Sequence, residues 1–492
     1  MLTGAYRLLA AFAAGSLVVL AFSPFSQGWI ALLSLSALFA LWRNTSPAQA
    51  FVIGLAWGLG CMGFGVFWLH HSIAQFGGVN LPLAVLFTLL FAGMLALFPA
   101  LAGWLARRFF PDETTLLLFA YPGVWVLLEW VRSWLFTGFP WLTIGYSQID
   151  TPLAGYAPLL GVYGVSLLLA LGAGALNLWR SPWLALLPAI WLGGWALQQV
   201  HWTAPDGDAF KATLAQASIP QEKKWLPSQL GPTLEYYLEA SDAHPDSHLI
   251  VWPETAVPAF ADKVEESFLH PLDERFRKQG RDLLLGIPVR ESEQRIYNAM
   301  ISLGASGRGE YFKRHLVPFG EFMPFASLLQ PLVELFAIPM SSFSAGDSGK
   351  PPLLKLAGMD AGISICYEDV FGEEIAQALP QAAFLVNASN DAWFGDSLAP
   401  HQHLEMARMR ALETGRYMLR ATNTGVSAII DERGGMVAML PQWKRGTISA
   451  DIQPMKGETP FLLWKNGLAV ALCMLLLVIA YLRSEGGAPT TS

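Results

Sequence analysis

Cysteine is scarce in this chain. The sequence contains three, Cys61, Cys366 and Cys473, and their spacing provides neither a disulfide framework nor a zinc-binding pattern. Cys61 and Cys473 lie in long apolar runs, where cysteine usually packs as a small apolar residue. Cys366 is the only cysteine between about residues 205 and 460. A disulfide within that stretch is therefore excluded.

Charged residues are also scarce and unevenly distributed. They make up 14% of the 492 residues, whereas hydrophobic residues make up 53%, and the mean hydropathy is +0.40. Residues 1–204 contain only six Lys or Arg and four Asp or Glu. The net charge of −7 argues against a nucleic-acid partner, which would favour a basic surface. No internal repeat is present. The composition indicates a membrane part followed by a more polar domain.

Long apolar stretches define the membrane part. A helix needs about 20 apolar residues to cross a bilayer. Seven candidate stretches precede the polar region and one follows it: 8–24, 28–42, 50–70, 81–105, 116–136, 159–179, 182–199 and 461–482. We expect a seven-helix membrane domain over 1–204, a catalytic domain over 205–458, a closing membrane helix over 459–484 and a short cytoplasmic tail over 485–492.

Basic residues in the short connections predict the orientation, because Lys and Arg accumulate on the cytoplasmic side. The loops around 24–28 and 71–80 contain neither, and Arg132 is the one exception. Alternate span ends carry Arg7, Arg43, Arg107 with Arg108, Arg180 and Arg483. Seven crossings, with an uncleaved first helix, place residues 205–460 outside the cytoplasm. In a bacterium, that is the periplasm, with the spans in the inner membrane.

Glu129 lies within a predicted span, where a carboxylate is costly unless it is paired. It stands three residues before Arg132, the spacing of neighbours on a helix. Two interpretations remain open. Glu129 pairs with Arg132, or it binds a lipid headgroup or substrate near the outer surface.

The polar region alternates short β-rich runs with helical patterns, which favours a mixed α/β domain. Amphipathic helices are expected at Ser228–Ala243 and His401–Arg420, and Gly434-Gly435 indicates a hairpin turn. Strands are expected at Ala212–Ile219, Leu249–Pro253, Leu283–Val289, Asn298–Leu303, Gly362–Cys366, Ala383–Asn387 and Gly425–Asp431.

Three reactive residue types follow apolar runs in this region. Cys366 ends one such run, Glu254 ends another, and Lys313 follows a third. A thiol attacks as the thiolate, so it needs a base or a nearby cation. Glu254 can supply the base and Lys313 can stabilise the thiolate and an oxyanion. Glu321 and Glu368 could hold Lys313. The pattern suggests acyl transfer through a thioester, although by spacing alone the three could also be unrelated structural residues.

Three motifs carry a resemblance to a known family. They are Trp252-Pro253-Glu254, the run from Lys313 to Glu321 that reads Lys-Arg-His-Leu-Val-Pro-Phe-Gly-Glu, and Cys366-Tyr367-Glu368. Together they resemble the nitrilase superfamily, which carries a Glu-Lys-Cys triad on an αββα sandwich. With seven spans before that domain and one after it, the chain resembles the membrane-bound apolipoprotein N-acyltransferase family. The implied fold is an eight-helix transmembrane bundle carrying a nitrilase-like domain.

The resemblance implies roles for individual residues. Glu254 corresponds to the general base, Lys313 to the oxyanion-stabilising lysine and Cys366 to the nucleophile. The supporting positions are Glu321, Tyr367, Glu368 and Trp225. The implied reaction is ping-pong. Cys366 takes the sn-1 acyl chain of a phospholipid, typically phosphatidylethanolamine, and passes it to the N-terminal amine of a diacylglyceryl-cysteine apolipoprotein. No cofactor or metal is implied, and a monomer in the bilayer is expected.

Two apolar segments are candidates for substrate access. The first follows Lys313 and contains Leu335 and Phe336; prolines interrupt it, so a lid that dips into the bilayer is favoured over a core helix, although core packing remains an alternative. The second contains Trp393 and Phe394. His401 and His403 lie beyond it without further ligands nearby in the sequence, so no metal site is expected.

Two alternative functions remain open. One is a membrane-tethered nitrilase-type amidase, in which water resolves the thioester. The other is a transporter or scaffold with a vestigial domain, which would tolerate Cys366→Ala.

Overall fold

The structure is a computed structural model that describes residues 4–293, 295–323 and 343–486. The chain forms two compact units. The first comprises Met1–His70, Asn80–His201 and Leu463–Ser492. The second comprises His71–Val79 and Trp202–Leu462.

The first unit is helical. Its principal helices are Gly4–Val18, Trp29–Trp42, Pro47–Gly65, Leu81–Phe109, Tyr121–Arg132, Ala157–Asn177, Leu186–Leu197 and Gly467–Gly486. Among the described residues, six apolar helical segments are long enough to cross a membrane: Gly4–Ala21, Pro47–Gly65, Leu81–Phe109, Glu113–Arg132, Pro152–Asn177 and Gly467–Ser484. Trp29–Trp42 and Pro182–Leu197 are apolar but shorter. These two segments correspond to the predicted spans 28–42 and 182–199.

Glu129 and Arg132 are both buried in the first unit. Among the described residues they form no direct ion pair, but the charge of Arg132 acts on Glu129. Glu129 Oε1 instead accepts a hydrogen bond of 2.9 Å from the Ile144 amide. Arg132 Nη1 donates to the carbonyls of Phe139 and Trp141 at 3.0 and 2.5 Å. The chain after the helix therefore supplies the polar partners that these buried groups need.

The second unit contains two six-stranded sheets. The strands in chain order are β1 Phe210–Gln216, β2 Leu249–Val251, β3 Asp282–Ser292, β4 Arg295–Gly304, β5 Gly309–Phe312, β6 Leu353–Leu356, β7 Met359–Ile365, β8 Phe384–Ser389, β9 Met418–Thr422, β10 Ser427–Ile430, β11 Met436–Leu440 and β12 Gly446–Ile452. The first sheet has the order β12-β1-β2-β3-β4-β5 and the second β11-β10-β9-β8-β7-β6. A separate two-residue ladder joins Ala204–Pro205 to Met455–Lys456.

The two sheets pack face to face over one apolar core. Leu214 and Leu284 of the first sheet join Ile363 and Phe384 of the second in that core. Burying a side chain of this size contributes about 1.5–3 kcal/mol. The outer face of the first sheet is covered by Pro227–Asp242 and His270–Lys278, and that of the second by Ala399–Thr414. The expected helix–sheet–sheet–helix layering is confirmed.

One predicted helix is too long. The pattern from His401 predicts helix as far as Arg420, but the helix ends at Thr414. Gly415 then adopts φ +62°, the left-handed conformation that commonly terminates a helix. The next residues form β9, which pairs in parallel with β8. By contrast, the hairpin predicted at Gly434-Gly435 is present, since β10 and β11 pair antiparallel around it.

The strand ends position the reactive residues. Glu254 follows β2, Lys313 follows β5, and Cys366 follows β7 directly. In the first sheet β1, β2 and β3 run parallel, as do β7, β8 and β9 in the second. The carboxyl ends of neighbouring parallel strands lie at the same edge of a sheet. In each sheet, the loops that follow these strands therefore emerge at that edge. The candidate site is built from these loops.

Candidate active site

Lys313 lies between two carboxylates. Its Nζ is 2.9 Å from Glu321 and 3.8 Å from Oε1 of Glu254. Only 1% of Lys313 and 6% of Glu254 is exposed to solvent. In this dry environment the ammonium is fixed by charge and by the hydrogen bond to Glu321. The structure therefore brings Glu254 to Lys313 and Glu321, which lie more than 50 residues further along the sequence.

Asn298 of β4 connects the same two carboxylates. Its Nδ2 donates to Glu254 Oε1 at 2.6 Å and to Glu321 Oε1 at 3.2 Å. Its main-chain carbonyl accepts a hydrogen bond of 2.8 Å from the Lys313 amide. Within the described part of the chain, the second oxygen of Glu254 has no hydrogen-bond partner. Glu254 is thus held through one oxygen, and its other oxygen is available to accept a proton.

Cys366 is 7% exposed and has φ +52°. A left-handed conformation at a residue other than glycine is uncommon and marks a sharp turn at the strand end. Asn387 of β8 donates its Nδ2 to the Cys366 carbonyl at 3.1 Å. The side chain of Ser389 hydrogen-bonds the thiol. The backbone around the sulfur is therefore held in one orientation by the neighbouring strand.

The charges of the three residues affect one another. Burial raises the pKa of the Cys366 thiol, the Glu254 carboxylate raises it further, and Lys313 opposes both. For Lys313, burial lowers the pKa, but the carboxylates of Glu321 and Glu254 outweigh it and leave that pKa above its ordinary value. The resting site consequently combines a neutral thiol, a charged lysine and a base. Such a thiol reacts only when a proton is removed from it.

Glu368 has a different place from the one its sequence suggests. Instead of pairing with Lys313, it accepts hydrogen bonds from the amides of Arg314 and His315 at 2.6 and 3.1 Å. The Tyr311 hydroxyl and the Ile365 amide donate to it as well, at 2.9 and 2.7 Å. Burial raises the pKa of Glu368, and these donors oppose that shift. Glu368 joins the segment after β5 to the end of β7, so it fixes Lys313 relative to Cys366 through the backbone.

Tyr367 is 7% exposed and lies beside the nucleophile in the chain. Its ring meets Phe371 edge-on at 5.1 Å and His315 at 5.8 Å. His315 in turn stacks on Phe371 at 3.8 Å. This aromatic group packs the turn that carries Cys366.

The supporting residue Trp225 and the predicted access residues differ in placement. Trp225 follows a short helix, Gln221–Lys224, and is 49% exposed. Trp393 is 37% exposed; its ring contacts Phe76 at 4.6 Å and its carbonyl accepts a hydrogen bond of 2.6 Å from Ser72. Phe394 is half-buried. Leu335 and Phe336 lie outside the described residues.

A groove of about 250 Å³ lies next to these segments. Its walls come from Pro220–Glu222, from Ala392 with Gly395 and Asp396, from Trp443, and from His71 with Gln75. The Trp225 and Trp393 segments therefore border the same groove. That relationship could not be derived from the sequence, because more than 160 residues separate them.

A network of buried charged side chains is connected to Cys366 through Asn387. The sequence did not indicate it. Arg420 donates to Asp369 and Asp391 at 2.8 and 3.1 Å. His403 lies 2.7 Å from Asp369 and 3.2 Å from Asp391. Arg420 also donates to Asn387 at 2.7 Å, so the network reaches the residue that holds the Cys366 carbonyl. Among the described residues, no group of His, Cys, Asp and Glu has the arrangement of a metal site.

Two residues of this network, His403 and Asp391, have shifted pKa values. Burial and Arg420 lower the pKa of His403, but Asp369 and Asp391 outweigh them and leave it raised. For Asp391, burial raises the pKa, and the charges of Arg420 and His403 more than reverse this. Two cations and two carboxylates thus balance within the core. Balanced charge is what allows four ionisable groups to be buried together.

Comparison with known sequences gives two family matches. Residues 14–175 match the family described as apolipoprotein N-acyltransferase N-terminal domain, and residues 211–460 match the carbon-nitrogen hydrolase family. An apolipoprotein N-acyltransferase of Methylococcus capsulatus is 47% identical over 98% of this chain and 97% of its own length. One of Nitrosomonas europaea is 46% identical over 99% of both chains.

Two solved structures are similar to part of this chain. A nitrilase-superfamily protein of Saccharomyces cerevisiae, from branch 10, is 18% identical with a TM-score of 0.38, covering 59% of this chain and 98% of its own. An amidase from Nesterenkonia sp. is 16% identical with a TM-score of 0.36, covering 50% of this chain and 92% of its own.

Proposed function

The chain belongs to the apolipoprotein N-acyltransferase family, and on that premise we propose that it moves an acyl chain from a phospholipid to the N-terminal amine of a diacylated apolipoprotein. The observation that supports this most directly is the grouping of Glu254 and Glu321 around Lys313, together with the action of the Glu254 and Lys313 charges on Cys366. A base, a cation and a thiol in a dry site are the parts that thioester chemistry requires.

The first half-reaction acylates the enzyme. Glu254 takes the proton of Cys366, and the sulfur attacks the carbonyl carbon of the sn-1 ester. The resulting oxyanion is stabilised by the Lys313 ammonium. When the ester C–O bond breaks, the leaving alkoxide takes the proton from Glu254 and departs as a lysophospholipid. Cys366 then carries the acyl chain as a thioester.

The second half-reaction resolves the thioester. The neutral α-amine of the acceptor attacks the thioester carbonyl, and Lys313 again stabilises the oxyanion. The C–S bond breaks and Glu254 accepts a proton from the attacking nitrogen. The thiolate of Cys366 recovers that proton, which returns the site to its resting state with the acyl chain in amide linkage.

We place the enzyme in a bacterial inner membrane as a monomer with eight spans, the two short helices included, and with residues 205–458 in the periplasm. The arginine distribution described above supports this orientation. Phosphatidylethanolamine is the proposed donor. A membrane-held enzyme has ready access to such a donor, since extracting each acyl CH₂ into water costs about 0.8 kcal/mol.

The proposal is tested by intact mass. Purified enzyme incubated with phospholipid vesicles should gain the mass of one acyl chain, which hydroxylamine should remove. Cys366→Ala should gain nothing. If the adduct forms but decays at the same rate with and without acceptor peptide, water resolves the thioester and the enzyme is an amidase-type hydrolase. If no adduct forms on the native enzyme, the thioester route is wrong.

A further inference from the structure

Lys224 is a buried lysine beside the candidate site that the reaction above does not use. It is the last residue of the helix Gln221–Lys224, and 2% of it is exposed. Its Nζ donates to the main-chain carbonyl of Glu254 at 3.1 Å. Among the described residues it forms no ion pair with a carboxylate. Lysine is almost never buried without such a partner, so this position requires an explanation.

The carbonyl that Lys224 holds belongs to a strained turn. Thr255, the next residue, has φ +50°, which is an outlier for a β-branched side chain. The neighbouring strand approaches closely, because a Cβ added at Gly286 would lie 2.4 Å from the Thr255 amide nitrogen. Such a backbone conformation persists only where surrounding groups fix it. Lys224 is one of those groups, and it acts on the peptide that carries the Glu254 side chain.

The charge of Lys224 also acts on Glu254. Burial lowers the pKa of Lys224 to about 8, although the Glu254 carboxylate opposes that shift. Glu254 therefore lies between two ammonium groups, those of Lys313 and Lys224. Lys313 engages one carboxylate oxygen, and the other oxygen has no hydrogen-bond partner among the residues that the structure describes. Holding the backbone of Glu254 fixes the position from which its carboxylate acts on the thiol.

The helix that ends in Lys224 is attached at both ends. At its start, Gln221 accepts a hydrogen bond of 2.7 Å from Asn390, which follows Ser389 in the chain. Trp225, 49% exposed, comes directly after Lys224. Trp225 and Lys224 are joined by one peptide bond, which provides a direct route from the exposed ring to the lysine that holds the Glu254 backbone.

We propose that Lys224 is a positioning residue: its ammonium holds the Glu254–Thr255 turn and couples the position of Trp225 to that of the general base. This inference rests on the proposed role of Glu254. It predicts that Lys224 affects the reactivity of Cys366 through Glu254 and by no other route.

The test uses the full chain in detergent micelles and measures the rate of Cys366 alkylation by iodoacetamide, read at the Cys366 peptide by mass spectrometry. Lys224→Met should slow alkylation about tenfold or more, which is a part of the roughly 100- to 10,000-fold that a general base contributes. Lys223→Met is the matched control, because Lys223 is exposed on the same helix. It should leave the rate unchanged.

A double substitution tests whether Lys224 acts on Cys366 through Glu254. In a Glu254→Gln background, Lys224→Met should cause no further loss, since the group through which it acts is already absent. The proposal would be overturned if Lys224→Met caused the same loss of rate in both backgrounds. It would also be overturned if Lys223→Met slowed alkylation as much as Lys224→Met does. Alkylation needs no lipid. If the enzyme forms no acyl adduct, the proposed function fails, while the alkylation comparison still decides the role of Lys224.

Lys224→Gln separates charge from hydrogen bonding and provides a second variant if Lys224→Met does not fold. The glutamine amide can donate to the carbonyl but carries no charge. In the native enzyme the ammonium is charged below a pH of about 8 and loses its charge above it. The ratio of native to Lys224→Gln alkylation rates should therefore fall as pH rises through that value. A constant ratio would show that the charge has no role.

Discussion

Asn298 donates a hydrogen bond of 2.6 Å to Oε1 of Glu254, and the same amide reaches Glu321 at 3.2 Å. This side chain keeps two carboxylates apart while both remain close to Lys313. A hydrogen bond to a charged group contributes about 1.5–3 kcal/mol. Asn298 is consequently as important to the arrangement as the groups that react.

Substitution of Asn298 should therefore impair acylation. Asn298→Ala is expected to slow thioester formation about 10- to 100-fold, the equivalent of one charged hydrogen bond. Intact mass over time after mixing with phospholipid gives the rate. Tyr297→Phe is the control, because the Tyr297 hydroxyl contacts the exposed Glu291 instead. Equal rates for native enzyme and Asn298→Ala would show that Lys313 alone orders the carboxylates.

Glu321→Gln should change the pH dependence. Burial lowers the pKa of Lys313, and Glu321 provides the largest opposing charge. Without that charge the pKa of Lys313 falls, so the lysine becomes neutral at a lower pH. The alkaline limit of acylation should then move to lower pH, as seen in a pH series of adduct formation. An unchanged alkaline limit in Glu321→Gln would mean that Lys313 does not set it.

Glu368→Gln should destabilise the domain strongly. Glu368 accepts from the amides of Arg314, His315 and Ile365, and glutamine would turn a donor N–H towards one of them. Two buried N–H groups that face each other without an acceptor lower the free energy of unfolding by about 1–3 kcal/mol. Tyr311→Phe, which removes one neutral donor, should cost about 1 kcal/mol. Thermal unfolding measures both, and the reverse ranking would contradict the bonding described.

His403→Gln should reduce stability in a pH-dependent way. The pKa of His403 is raised in the folded protein, relative to about 6.5 in an unfolded chain. Its stabilising effect is thus fully present below pH about 6.5 and is lost as pH rises through the folded value. The difference in Tm between native enzyme and His403→Gln should shrink as pH increases. A difference that grows with pH would mean that His403 is neutral in the fold.

Much of the fold could be predicted from the sequence, since strands buried on both faces appear as continuous apolar runs. The runs at Leu249–Pro253 and Gly362–Cys366 coincide with β2 and β7. The end of the long helix was missed because Gly415 stops it within a pattern that still reads as amphipathic. A glycine in the sequence does not by itself indicate that a helix ends in a left-handed conformation. Here the end of the helix is evident from the structure, in which the following residues pair with β8.

The site was less predictable. Glu254, Lys313 and Cys366 were identifiable because they interrupt apolar runs and match known motifs. Asn298, Lys224 and the network around Arg420 were not. Their importance arises from contacts such as the 3.1 Å bond from Lys224 to Glu254, which depend on how distant loops meet. A single polar residue in a strand or a short helix carries no such information by itself.

The strand order determines which part of the first sheet is completed last during synthesis of the chain. The first sheet, which carries Glu254 and Lys313, is completed at its edge by β12, Gly446–Ile452, paired with β1. The first sheet therefore gains its last strand only after the segments that carry Glu254, Lys313 and Cys366 have been made. Until β12 is available, β1 lacks its outer neighbour in the sheet that carries the base. We expect a chain whose synthesis is unfinished to be catalytically inert for this reason.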